Sequence, residues 1–280
     1  MPKKMLSLVV SLQIAVLAFP AVALDRQVGT LATPGVQKQL VLPPSADNSP
    51  VISLGEAQDP QTGEMVEGLA IIHYKKGFVR GGSAKPPKNQ CYGFLASGAK
   101  WKLVEPWLMN PANTRSLDES TTFANFSDGV LRWEDAADGN IGTGPGVDIL
   151  GLGSSTSAAL EADQVAPDGQ NEAYFGSIAD NGTIAVTIVW GIFSGPTFQR
   201  KLVEWDMIFD QADYDWSLLG EAGKMDFGNI AVHELGHAFG LADLYNTSCQ
   251  EETMYGYADF GETKKRDLNT GDIQGINTLY

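Results

Sequence analysis

Between residues 117 and 137 apolar side chains recur near helical spacing. Phe123, Phe126, Val130, Leu131 and Trp133 predict one face of a helix packed on a sheet. Strand-like runs lie around it. CYGFLASGAKWKLVEPWLMN, starting at Cys91, predicts strand, and AYFGSI and TIAVTIVWG are joined through Asn181-Gly182, a two-residue hairpin signal. KLVEWDMIFD continues the sheet. Asp226 is placed to cap a helix that runs through Glu234, and Asn269 with Asp272 three residues on marks a closing helix. The stretch 138–171 is rich in Gly, Ser, Ala and Asp without clear periodicity and reads as long loops. Strands interleaved with helices from Cys91 to Tyr280 make this an α/β (α+β) domain.

Two stretches of different character precede it. Residues 24–90 are Pro-, Gly- and Gln-rich around one short apolar stretch, GLAIIHYKKGF, and are expected to form an N-terminal extension or propeptide with little core. His73 lies in that stretch and reads as a strand or surface residue, because its neighbours carry no ligand spacing. Residues 1–23 combine Lys3 and Lys4, an apolar run from Met5 to Phe19 and the small-x-small ending Ala21-Val22-Ala23, the pattern of a secretory signal peptide. The run includes Gln13 and is short for a span of about 20 residues, so no stable membrane anchor is expected. The chain is then extracellular, or periplasmic in a Gram-negative cell.

The 280 residues are 43% hydrophobic, enough for one sizeable core, and the expected state is a monomer. A net charge of −15 argues against nucleic acid as a partner, since phosphate binding needs basic patches.

The chemistry concentrates in HELGHAFGLADLY, His233 to Tyr245. On a helix His233 and His237 project from one face and both can reach one ion at about 2.0–2.1 Å. Glu234 stands beside the first of them, where its carboxylate can act as general base on zinc-activated water without ligating the metal. Gly240 is placed to end the helix in a left-handed conformation and turn the chain back toward the ion. With this extension the sequence resembles the metzincin metallopeptidases, nearest to the matrixins, whose motif is His-Glu-x-x-His-x-x-Gly-x-x-His followed by a methionine turn.

That resemblance implies a zincin-like fold, with a twisted mixed sheet, an active-site helix and a closing C-terminal helix. It also implies a secreted zinc endopeptidase acting on proteins or peptides. Asp243 stands where the family has its third His, and no His occurs after it, so Asp243 is the expected third ligand. An Asp in this place also occurs in snapalysin-like metzincins. Thr253-Met254-Tyr255 looks like the methionine turn, with Met254 as an apolar floor under the ligands and Tyr255 near the specificity pocket.

Related loops in matrixins hold calcium and a structural zinc. The loop here contains neither His nor Cys, which argues against the second zinc, while structural Ca2+ stays open. Asp163, Asp168 and Glu172 could supply oxygens, though not in an Asp-x-Asp-x-Asp-Gly loop, and a solvated acidic loop is the competing reading. Asp210, Asp213 and Asp215 loosely resemble a second acidic segment that binds calcium in matrixins.

Cys91 and Cys249 are an even pair in a chain expected to be exported, which predicts a disulfide. Two free thiols are an alternative. A zinc-ligating propeptide cysteine is another, but in matrixins it lies in Pro-Arg-Cys-Gly, and Asn89-Gln90-Cys91-Tyr92 lacks that context. From another class, a non-catalytic secreted metal-binding or interaction protein could retain the same fold.

Overall fold

A computed structural model describes residues 39–44, 49–78, 90–139, 141–142 and 146–280; the signal-peptide reading lies outside these residues. Seven strands form the main path of a mixed sheet: β1 (Val51–Gln58), β2 (Met65–Lys75), β3 (Glu105–Asn110), β4 (Leu150–Ser155), β5 (Asn171–Gly176), β6 (Thr183–Ile192) and β7 (Lys201–Asp210). Their order across the sheet is β1-β2-β6-β7-β5-β3-β4. β3, β4, β5 and β7 are mutually parallel, and β6 runs antiparallel to β7. Two short strands, β8 (Trp216–Ser217) and β9 (Met225–Asp226), pair separately. A further one, β10 (Tyr257–Ala258), pairs parallel to the end of β2.

Helix α1 (Glu119–Ala136) begins at Asp118, whose side chain accepts from Thr121 N. Phe126, Val130 and Trp133 point into the core, and the Trp133 indole donates to Val232 O at 2.8 Å, tying α1 to α2 (Phe227–Ala238). Leu131, expected on that face, is 58% exposed. α3 (Thr270–Leu279) closes the chain with the Asn269–Asp272 capping box. The start of α3 was legible because a side-chain oxygen at the cap satisfies backbone donors that the helix leaves free.

Three sequence expectations change. The runs flanking Asn181-Gly182 do not form a hairpin: β7 lies between β5 and β6, and the turn, with Gly182 at φ +85°, begins a crossover. Both strands are buried on both faces, so each prefers the interior of the sheet to a solvent-facing hairpin. Of the stretch 91–110 only the last six residues are strand, and the stretch 138–171 contributes the edge strand β4.

The third change matters most. The stretch expected to hold little core supplies β1 and β2. Along β2, Ile71 and His73 face the helices while Ala70, Ile72 and Tyr74 face the opposite core, where Leu160, Ile188, Trp190 and Ile208 pack. A strand with apolar side chains on both faces is stable only inside a sheet.

Candidate metal centre

α2 is buried over all 12 residues and is fixed at its start by Asp226, which accepts from Asn229 N at 3.0 Å and is paired with Arg266. Gly236 faces Met254 so closely that a Cβ there would lie 2.1 Å from the methionine sulfur. Met254 therefore packs directly beneath the motif. Gly240, at φ +98°, ends the helix and reverses the chain.

This reversal brings three groups together. One ligand atom each from His233, His237 and Asp243 lies within 4.8 Å of the others. Asp243 Oδ1 is 3.2 Å from His233 Nε2 and 3.5 Å from His237 Nε2. The imidazoles are oriented from behind. His233 Nδ1 donates to Thr253 O at 2.7 Å and His237 Nδ1 donates to Leu241 O at 2.9 Å, which leaves each Nε2 with a lone pair. All three facing atoms are buried and have no hydrogen-bond partner among the described residues. Buried polar atoms left without partners are costly, and a divalent cation with nitrogen and oxygen preference satisfies all three at once.

Glu234 is fully buried beside them. Thr187 Oγ1 of β6 donates to its Oε2 at 2.6 Å, and His73 Nδ1 lies 2.9 Å from its Oε1. Burial raises the Glu234 carboxyl to about 7. His73 is held neutral because burial, then the adjacent His233 and Lys265, push its pKa well below the ordinary value. Its Nδ1–H is thus the donor to Glu234, and its Nε2 accepts from Lys265 Nζ at 3.2 Å. Lys265 is fully buried, also donates to Tyr255 O, and is lowered to about 8 mainly by burial.

His73, Thr187 and Lys265 were not legible as site residues. A lone His in a strand and the KKR run at 264–266 carry no spacing signal, and only the strand pairing and the chain reversal bring them to Glu234.

The cysteines are bonded to each other, with Cα atoms 5.3 Å apart, and anchor the start of the 91–280 stretch beside the turn that leads to Met254. Tyr255 is partly buried next to that turn. Asp163 lies with Glu204 and Asp206 of β7, their carboxylate oxygens within 4.8 Å of one another. Glu172 and Asp168 act on this cluster as further negative charges. Asp215 instead pairs with Arg115 at 2.9 Å, and Asp210 is buried as the last residue of β7.

The mixed sheet, in the order β4-β3-β5-β7-β6 with the last strand antiparallel, together with a His-Glu-x-x-His helix turned back by glycine, is consistent with the matrixin/metzincin fold. The family model for Matrixin matches residues 191–280. Metalloendoproteinase 2-MMP of Arabidopsis thaliana is 36% identical over 76 residues, which is 25% of this chain and 19% of that protein. The match thus spans about a fifth of the relative's length. Its C-terminal part, residues 191–280, is thus matrixin-like in sequence.

Proposed function

We propose that the protein is a secreted zinc-dependent endopeptidase. The observation that carries this reading is the convergence of three unpartnered buried ligand atoms, from His233, His237 and Asp243, next to the Glu234 carboxylate. Zinc held by those three residues would supply a Lewis acid for the scissile carbonyl and the attacking water.

The chain's own groups do the rest. Glu234 Oε accepts a proton from the attacking water and returns it to the departing amine, so that a C–O bond forms as the peptide C–N bond breaks. A carboxyl raised to about 7 is matched to both transfers near neutral pH. Met254 forms the apolar floor beneath the ligands, and Tyr255 borders the substrate pocket. The disulfide fits an oxidising compartment, and no helix among the described residues is long and apolar enough to cross a membrane.

Structural Ca2+ is assigned to Asp163, Glu204 and Asp206 instead of to a solvated acidic loop. Glu204 is fully buried, and among the described residues neither its Oε1 nor the Asp163 Oδ2 has a geometrically formed hydrogen bond. Oxygen-only ligands at one point suit a hard cation.

One observation favours the rival reading of a non-catalytic metal-binding protein: both oxygens of Glu234 are engaged inside the fold. Zinc content together with hydrolysis of casein decides between the two. One zinc per chain and cleavage that depends on Glu234 supports the peptidase. A folded chain that binds zinc and cleaves nothing under any condition sinks it.

A further inference from the structure

If the chain is a peptidase, a polypeptide must reach Glu234, yet His233, Glu234 and His237 are fully buried. Extended peptides dock by adding a strand to a free sheet edge. The strand nearest Glu234 is β6, whose Thr187 holds its Oε2. That edge is taken: β2 pairs antiparallel with β6 from Glu67↔Gly191 to Tyr74↔Thr183.

On its other side, the end of β2 pairs with β10, through Tyr257↔Tyr74 and Ala258↔Lys75. β10 follows directly on the Met254–Tyr255 turn beneath the metal ligands. β2 thus lies between the sheet above the site and the segment below it, where a substrate strand would lie. Near its C-terminal end, His73 donates to Glu234 Oε1, and its ring centroid is 3.9 Å from that of His233. With Thr187 on the other oxygen, both oxygens of the carboxylate are engaged inside the fold.

We propose that β2 occupies the substrate cleft of this domain and that the folded chain is a latent form, locked by the His73–Glu234 hydrogen bond. The inference rests on the peptidase reading above. Its physical basis is competition for one edge: β6 can pair with β2 or with substrate, and not with both. The β1–β2 hairpin leads into an exposed turn at residues 75–78, while Cys91 is tied to Cys249 independently of the hairpin. Loss of the hairpin therefore leaves the 91–280 stretch anchored at its first residue. The apolar side chains of β2, Ile71 and Ile72 among them, hold the lock until the chain is cut or the strand is displaced.

The test inserts the recognition sequence of a specific protease between Lys76 and Gly77 of the full-length chain. Hydrolysis of a quenched fluorogenic peptide, zinc content, hairpin retention on gel filtration and backbone hydrogen exchange of residues 183–192 are followed before and after cutting. We expect the uncut chain to hold zinc but hydrolyse slowly. Release of the cut hairpin should raise the rate at least about tenfold, as expected when the open state had been populated at about one part in ten or less. Exchange in β6 should accelerate, and a synthetic peptide of residues 65–75 should restore the slow rate.

Equal rates before and after hairpin release would overturn latency while leaving the peptidase reading intact. A zinc-loaded chain that stays inert after release would overturn the peptidase reading, and latency with it. In the uncut chain His73→Ala should raise the rate several-fold with zinc unchanged, since it removes one hydrogen bond to a carboxylate. An unchanged rate would overturn the proposed lock.

Discussion

Tyr245 donates its hydroxyl hydrogen bond to Asp243 Oδ2 at 2.8 Å, which turns the other oxygen of Asp243 toward His233 and His237. The two residues are only two apart in sequence, so the chain orients the Asp243 carboxylate locally. Removing the hydroxyl should loosen the carboxylate without unfolding the domain. Tyr245→Phe is expected to weaken zinc binding by about 10-fold or more, the usual cost of losing an outer-shell hydrogen bond. Competition against a chromogenic chelator measures it, and unchanged affinity would show that Asp243 is oriented by something else.

Asp243→Ala should have a much larger effect on the same assay, because it removes a charged ligand and leaves two imidazoles for the ion. If the variant keeps one zinc per chain after dialysis against a weak chelator, a different group is the third ligand.

Glu234→Gln keeps the shape of the side chain and can still receive the Thr187 hydrogen bond, but it lacks a basic oxygen. Zinc content and melting temperature should stay near the parent values, while turnover of the hairpin-released chain falls by about 10²–10⁴-fold. Retained turnover would remove Glu234 from the proton transfers.

The Cys91–Cys249 bond spans a sequence separation of 158. The chain-entropy model gives at most about 5 kcal/mol for a loop of that size. Denatured, unreduced protein should show no titratable thiol. Reduction should lower the melting temperature without raising activity, and activation on reduction would show that a thiol-dependent lock operates.

Burial, then Asp163 and Asp168, raise the Glu204 carboxyl from 4.5 to about 8. A carboxyl that binds its proton more tightly in the folded state stabilises fully below the unfolded value, and this stabilisation is lost as pH rises toward the folded one. In EDTA the melting temperature should therefore fall from about pH 5 to about pH 8. Ca2+ should oppose that fall by several degrees at saturating concentration, because it binds only the folded arrangement. Glu204→Gln should flatten the pH dependence in EDTA and weaken the calcium response. Melting curves indifferent to Ca2+ would remove the proposed site.

The sequence by itself determined what depends on neighbours along the chain. His233, Glu234 and His237 share a helix turn, Gly240 must reverse the chain, and Asp118, Asp226 and Asn269 cap the helices that follow them. These are local backbone constraints, and a one-dimensional pattern records them directly. The partners of a strand are not local. Nothing in GLAIIHYKKGF separates a peripheral segment from a strand paired on both sides, because its apolar alternation is the same in either case. Only the sheet order puts β7 between β5 and β6, places β2 against β6, and so brings His73 to the Glu234 carboxylate across 161 residues of chain. The His-Glu-x-x-His spacing was therefore readable along the chain, whereas the strand that lies against it was decided by the order of the sheet.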